Sequence, residues 1–585
     1  MNTGWFAFSA FALFAHSCQE SPPAAHCSDR TQFGGNFMHD NSTCVVGQKL
    51  EARLSTATYD PFVQQEIAEA NDSLFVHYQM PLTRADQLFM MRKTGTFVPC
   101  NPPGSGQPAP CGMKNVDHIQ WTEVGYRNDD GRLTEQWTYT SDWKPFPSPQ
   151  VRNVTFQQVF QPALGSHALY VPGAGGTVHV VDLEHGKEID RFNPFGADDA
   201  PADVSYYDVS PFTVDSSDNL YYNVVQLDSK GAIQKGLLVR IGADRQKRVV
   251  DYKTLTPGAP APTDMCRGVY RSKIDPLPWP MMANGVVVPP PLPIACGIQA
   301  PPSDLAPAIS ADGSTLFTAS RAVGDTHYAY LVAVDTRDLS LRWNRSLRGL
   351  LHDGCGVLNA YQTDPNAALP CTNGAPKGID RNTGEDPAGT LFDGDTASPV
   401  VLPDGSLLLG AFTAYNYSRG HLLEFSPSGA YLANFDFGWD ITPAVWRHDG
   451  TYSIVDKDNH YFDNLTEGPY QVTQLDANLK VEWRATNTET QTCHRDGSDN
   501  VVCVDDHQHD NGFEWCINAP GVDARGNVFV TSEDGNSYHL GQGGSAAERQ
   551  FLNVALGSGY TPTILDRHGH VISLNAGILY VLGTP

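Results

Sequence analysis

Seven prolines, Pro162, Pro211, Pro307, Pro399, Pro443, Pro520 and Pro562, open hydrophobic segments of one design, and their phasing leaves this chain few ways to fold. After most of them comes a short apolar run, an Asp/Gly turn and a second apolar run, as in Pro307-Ala-Ile-Ser-Ala-Asp-Gly313-Ser-Thr-Leu-Phe317 and Pro399-Val-Val-Leu-Pro-Asp-Gly405-Ser-Leu-Leu-Leu409. Each copy predicts two strands joined by a tight turn. A third apolar segment follows, then an aspartate turn and an aromatic strand, best seen in Leu331-Val-Ala-Val-Asp335 with Trp343 and Val472 to Asp476 with Trp483. Four short strands recurring at roughly 40 to 45 residues predict an all-β fold, a β-propeller of four-stranded blades.

The intervals between successive prolines are 49, 96, 92, 44, 77 and 42, so three exceed what a blade needs. The surplus falls around Thr254 to Ser303 (Cys266, Cys296), Leu350 to Asp395 (Cys355, Cys371) and Thr486 to Trp515 (Cys493, Cys503). Loops that long in a compact domain are usually functional or tied down, and the cysteines predict disulfide tethers. Seven starts imply about seven blades, with an eighth if Leu54 to Trp143 builds its own. Only three strands follow Pro562, so the outer strand of the last blade must come from upstream. Arg132-Leu-Thr-Glu-Gln-Trp137-Thr-Tyr-Thr140 has the alternation expected of that closing strand. The predicted organisation is a signal peptide over 1–17, a β-rich, disulfide-bearing extension over 18–130 and a propeller over 131–585 closed by an N-terminal strand.

The apolar stretch Trp5 to Phe14, followed by Ala15-His-Ser17, reads as a secretory signal, and cleavage before Cys18 leaves a lipid anchor on that cysteine open. No later stretch is long and apolar enough to span a bilayer. The twelve cysteines contain no Cys-x-x-Cys, so local disulfides in an oxidising compartment are expected. The pairs suggested by proximity are Cys27 with Cys44, Cys100 with Cys111, Cys266 with Cys296, Cys355 with Cys371, and Cys493 with Cys503 or Cys516. Six glycosylation sequons, at Asn41, Asn71, Asn153, Asn344, Asn416 and Asn464, fit export in a eukaryote. The net charge of −26 argues against nucleic acid and anionic membranes, and favours solubility and cation binding. Export predicts a secreted, periplasmic or cell-surface protein.

The densest run of ligand-type side chains is Cys503-Val-Asp505-Asp-His507-Gln-His509-Asp510-Asn-Gly-Phe-Glu514-Trp-Cys516. A His-x-His pair on extended backbone points both imidazoles to one face, so Asp505, His507, His509 and Asp510 are the candidate ligands for calcium or another divalent ion. The competing reading is a solvated, disulfide-bounded loop. Asp496 and Asp499 resemble a calcium loop but lack the spacing of an EF-hand. Asp393-Gly-Asp395 and His352-Asp353 fall where propeller loops gather around the channel, although Asp-Gly is first of all turn chemistry. Trp343, Trp439, Trp446 and Trp483 are expected to pack between blades. The chain has no Gly-x-Ser-x-Gly elbow, phosphate-binding loop or haem-attachment motif.

Ala333-Val-Asp335 with Trp343 eight residues on, preceded by the Pro-x-Val, Asp-Gly, Leu-Phe hairpin, resembles the blade repeat of the pyrroloquinoline-quinone-like propellers. The likeness covers most of residues 155 to 585, and Asn511 to Pro520 with Asn527 to Asn536 is similar to uncharacterised secreted members. The superfamily includes quinoprotein alcohol dehydrogenases and non-catalytic assembly lipoproteins. The resemblance implies a propeller but not the redox chemistry, because those dehydrogenases carry adjacent cysteines and a calcium held by Glu, Asn and Asp, and here no two cysteines are adjacent. The function expected first is a non-catalytic module binding a protein, glycan or small molecule through its inserted loops. A quinone- and calcium-dependent oxidoreductase comes second, and a metal-dependent enzyme using the 493–516 loop third.

Overall fold

A computed structural model of the 585-residue chain describes residues 28–69, 74–76, 78–98, 117–146, 155–266, 282–283, 286–287, 293–351, 353–358, 362–368, 371, 377–379, 387–392, 397–413, 420–461, 468–505 and 507–585. Eight antiparallel sheets, six of four strands and two with a short fifth, make up an eight-bladed propeller whose strands run in sequence order from the axis outward in all but the blade closed by the N-terminal strand. Blade 1 spans 82–141, blade 2 163–192, blade 3 206–251, blade 4 299–346, blade 5 400–435, blade 6 444–486 and blade 7 521–551. Blade 8 joins 564–583 to Ala52–Thr58. The innermost strands of neighbouring blades lie against one another, as Ala308–Ile309 does against Val400–Val401 and Gly521–Val522 against Ile564–Leu565. Only two α-helices occur among the described residues, Val63–Glu69 and Tyr252–Leu255.

Blade 1 is the additional blade built by the N-terminal region, beyond the seven that the phased prolines open. Its proline is Pro81, and its inner hairpin, Leu82–Arg84 with Gln87–Gly95, has Ala85 at φ +50° where the hairpins of blades 4 to 8 place Gly. The missing glycine and the residues separating its second and third strands, which contain Cys100 and Cys111, hide the repeat in the sequence. The closing strand also differs from the expectation. Arg132–Ser141 pairs with Ile119–Asp129 as the outer strand of blade 1, and Ala52–Thr58 seals the ring against Ile578–Gly583. Closure goes to Ala52–Thr58 because Arg132 follows its partner by a two-residue turn, which makes the local pairing far cheaper in chain entropy.

Each blade is buried on both faces, so its middle strands carry continuous apolar runs. Thr315–Ala322 and Ala329–Asp335 are buried throughout, whereas the outer strand Leu341–Ser346 is partly exposed. The core is accordingly a ring of layers between blades; one of them packs Val178, Val180 and Phe192 of blade 2 against Phe212, Tyr222 and Val224 of blade 3. Tryptophans key the blades together. The rings of Trp137, Trp343 and Trp483 cover Gly186, Gly429 and Gly544 in the following blades, and the Trp343 indole N–H donates to the Pro427 carbonyl at 2.9 Å. Gly429 has φ +83°, and a Cβ there would lie 2.7 Å from the Trp343 ring. Gly429→Ala is expected to cost about 1–2 kcal/mol, combining left-handed strain with displacement of the indole. Gly313→Ala isolates the backbone part, since φ is +70° but nothing stands within 4 Å. Urea midpoints of the two variants should differ in that order.

The N-terminal segment 30–48 clasps one end of the axis. Inner strands leave backbone N–H groups facing the axis, and unpaired buried N–H groups are costly. Here Leu164, Ile309, Val401 and Val445 donate to the carbonyls of Thr31, Phe37, Met38 and Asp40, while Val214 donates to the Gln32 side chain. Arg30 pairs with Thr83 in blade 1, Asn41 Nδ2 donates to the Pro520 carbonyl beside blade 7, and Gln48 donates to Gly569 in blade 8. The segment thus touches all eight blades in order. Arg30, Gln32, His39, Asp40 and Asn41 are at most 2% exposed. Asn41 spends its amide in this contact, which removes its sequon from the accessible surface.

Disulfides Cys266–Cys296, Cys355–Cys371 and Cys493–Cys503 tether the three insertions. Cys44 is disulfide-bonded; its suggested partner Cys27, like Cys100, Cys111, Cys18 and the signal segment, lies outside the described residues. Cys516, also a disulfide candidate, is a buried free thiol. Cys503 takes Cys493 because the two sit opposite each other in the hairpin Gln491–Arg495/Val501–Asp505, with Cα atoms 4.1 Å apart. Three disulfides suggest an oxidising compartment. No helix among the described residues is long and apolar enough to cross a membrane.

Candidate functional site at the channel mouth

The clasp lies at the hairpin-turn end of the inner strands, so the opposite end of the axis is the mouth, where every connection between blades arrives. Those connections are stitched by polar residues beside the phased prolines. Ala306 N–H donates to Ser398 Oγ, Ser398 N–H to Thr442 Oγ1, and Thr442 N–H to Asn518 Oδ1, each bond linking one blade to the next. Gln161 performs the same role between blades 2 and 1, bonding both ways with the backbone of Met80.

Over blades 6 to 8 the mouth gathers a cluster of ionisable groups, of which Asp440, Lys457 and Cys516 are buried and Tyr461, Glu514, Glu533 and Tyr560 half-buried. Asp440 arrives on the connection into blade 6, Lys457 ends the strand Thr451–Asn459, and Tyr461 follows it. Glu514 and Cys516 close the third insertion, Glu533 lies in the turn between Val528–Thr531 and Asn536–Leu540, and Tyr560 stands two residues before Pro562. Lys457 Nζ sits 2.9 Å from Asp440 Oδ2 and 4.8 Å above the Tyr560 ring, whose hydroxyl donates to the same carboxylate at 3.0 Å. Burial, the largest single effect, pulls the Lys457 ammonium down, but Asp440, Cys516 and Glu514 together outweigh it and the pKa ends above the ordinary lysine value.

Glu514 accepts the Tyr461 hydroxyl at 2.6 Å and lies 4.0 Å from the Cys516 sulfur. Burial, then the charge of Glu533, pushes the Glu514 carboxyl up to about 8. Burial also raises Glu533, and it raises the Cys516 thiol well above its ordinary value with both glutamates adding to the effect. The arrangement can hold protons or a cation between two half-buried carboxyls and a buried thiol, with the Lys457–Asp440 ion pair beside it.

The sequence candidates are placed differently. The His507 side chain is 93% exposed, 3.8 Å from Asp510, and Asp505 on the exposed hairpin accepts a bond from Gln491 at 2.9 Å. His509 stacks on Phe513 with ring centroids 3.9 Å apart, and its charge acts on Glu533. The four do not converge as a ligand group; among the described residues the convergent one is Glu514, Cys516 and Glu533. Asp496 caps a hairpin turn through the N–H groups of Ser498 and Asn500. Asp353 accepts from His421 at 2.8 Å and Thr413 at 2.9 Å, while His352 and Asp393 to Asp395 lie outside the described residues. Sequence reasoning stopped one short step from the buried site, because Glu514-x-Cys516 was read as the end of the loop and Glu533 belongs to the next blade.

Fold and site together define the class: an eight-bladed propeller with one axial end clasped and Asp440, Lys457, Glu514, Cys516 and Glu533 gathered at the other. No family model matches the chain, and no curated protein matches it in sequence. Among solved structures, the fold is similar to that of the quinohemoprotein alcohol dehydrogenase from Comamonas testosteroni, with a TM-score of 0.50 and 10% identity over 96% of this chain and 82% of that one. A europium-containing methanol dehydrogenase (TM-score 0.48, 10% identity, 94% and 89% covered) and BamB from Moraxella catarrhalis (0.37, 10%, 79% and 88%) also match. At these identities the likeness is one of architecture. The adjacent-cysteine ring of the quinoprotein dehydrogenases has no counterpart here, since no two cysteines are adjacent.

Proposed function

We propose that the chain is an exported, non-catalytic binding propeller that takes a ligand, whether protein, glycan or small molecule, at the mouth of its axial channel. The observation that carries this reading is the asymmetry of the two ends. One end is closed by 30–48 bonding to every blade, and the other is ringed by blade connections and cradles Asp440, Lys457, Glu514, Cys516 and Glu533. Propeller loops held on a rigid ring are suited to binding, because the scaffold bears the ordering cost before the ligand arrives. Export is supported by the disulfide tethers and by the signal-like N-terminus. The test is direct. Purified protein incubated with pyrroloquinoline quinone and calcium should acquire no bound chromophore and should not reduce dye with primary alcohols; a stoichiometric chromophore with dye reduction overturns the reading.

A further inference from the structure

We propose that Glu514, Cys516 and Glu533 form a binding site for one divalent cation of the zinc class. The inference deepens the binding reading above, since it names a ligand for the same mouth. One carboxylate oxygen from each glutamate and the cysteine sulfur all lie within 4.8 Å of one another. A tetrahedral zinc, with bonds of about 2.0–2.3 Å, needs donors about 3.5 Å apart, so a small side-chain contraction suffices.

The framework that aims these donors is fixed by the backbone. Glu514 and Cys516 alternate about Trp515, which is 1% exposed and donates its indole N–H to the Tyr470 carbonyl at 3.1 Å. With Trp515 turned into the core between blades 6 and 7, its two neighbours share the opposite face. Glu533 is brought alongside by its own N–H, which donates to the Glu514 carbonyl at 3.1 Å, and by Ser532 Oγ, which donates to the same oxygen at 3.0 Å.

The donor set selects the ion. A thiolate between two carboxylates suits zinc or cobalt, whereas calcium and magnesium require six or more oxygens. The charge of Lys457 reaches all three groups, but it is shared with Asp440 at 2.9 Å, so one ammonium faces four acidic side chains. Two half-buried carboxyls and a buried thiol therefore converge with less positive charge beside them than their own negative charge would call for. His509, held against Phe513 and close enough for its charge to reach Glu533, adds an imidazole beside them. On binding, the thiol and carboxyl protons leave to solvent and the ion takes their place.

Titrating CoCl2 into the full-length, chelator-stripped chain is expected to show one Co²⁺ per chain with a near-ultraviolet thiolate-to-cobalt charge-transfer absorption, removed by equimolar ZnCl2. Cys516→Ser should lose that absorption and weaken cobalt binding at least tenfold. Glu533→Gln should keep the absorption and weaken binding at least tenfold, which tests the site even if the serine variant does not fold. His507→Ala should match wild type. Absence of cobalt binding by the folded chain, absorption surviving in Cys516→Ser, or binding abolished by His507→Ala would each overturn the proposal. A failure here, with no quinone taken up, leaves the binding reading standing; quinone-dependent dye reduction removes that reading whatever cobalt does.

Discussion

Lys457→Met is expected to destabilise the propeller by about 3–5 kcal/mol, the usual consequence of stripping one partner from a buried ion pair. The side chains of Lys457 and Asp440 are 0% and 2% exposed, and no water reaches the carboxylate to replace the ammonium. Tyr560 still donates one hydrogen bond to Asp440, but a neutral donor recovers only part of the loss. The same substitution removes the positive charge that lowers Glu514, Cys516 and Glu533, so strain spreads through the mouth. Urea unfolding followed by tryptophan fluorescence gives the measurement. Adding Asp440→Asn to Lys457→Met should recover a large part of the deficit, because the uncompensated charge is then gone. A single variant within 1 kcal/mol of wild type would show that the pair is not the isolated, dry contact described.

Acid should loosen the clasp through His39, with an effect on the order of 3 kcal/mol between pH 6.5 and 4. Burial pushes the His39 imidazole down to about 4, against the smaller raising effects of the Pro399 carbonyl, with which Nδ1 bonds at 3.0 Å, and of Asp40. The folded state therefore keeps His39 neutral in a range where the unfolded chain binds a proton at its ordinary pKa of about 6.5. The unfolded state holds more protons, so stability is fully present above pH 6.5, falls as pH is lowered through the window, and levels off below about 4. Other buried groups act in the opposite direction, among them Glu123, whose carboxyl burial pushes up to about 8. The decisive quantity is thus the difference between wild type and His39→Gln across the pH series. Identical slopes for the two proteins between pH 6.5 and 4 would end the assignment. Protection factors at Leu164, Ile309, Val401 and Val445, whose amides donate to the clasp carbonyls, should fall in the same window.

The repeat was legible wherever turn chemistry is local. Gly313, Gly405 and Gly450 announce their hairpins because each takes a left-handed backbone, at φ +70°, +87° and +77°. Blade 1, an optional eighth over Leu54 to Trp143 on sequence grounds, is harder to read because Ala85 adopts that conformation without the glycine that signals it, at φ +50°. The inter-blade tryptophans were expected, but their partners, Gly186, Gly429 and Gly544, became visible only when the rings were seen to lie over them. The insertions read correctly as tethered loops, and the Cys493–Cys503 hairpin shows why: its register places the two cysteines face to face. The metal reading went to His507 and His509 because spacing is all a sequence offers, and spacing does not report that His507 faces solvent.

Taken alone, the chain's sequence determined the blade, because a proline, an apolar run, a turn and a second run act on neighbours a few residues apart. Tertiary structure decided everything that depends on the ring closing. The pairing of Ala52–Thr58 with Ile578–Gly583 spans nearly the whole chain, the clasp finds its partners only once eight blades present backbone N–H or C=O groups to one axis, and Glu514 and Cys516 meet Glu533 because the connection into blade 7 and a turn within that blade reach one mouth. These contacts are set by the geometry of closure, in which each blade must bury both faces against its neighbours, and no local pattern of residues encodes which distant segments that geometry will bring together.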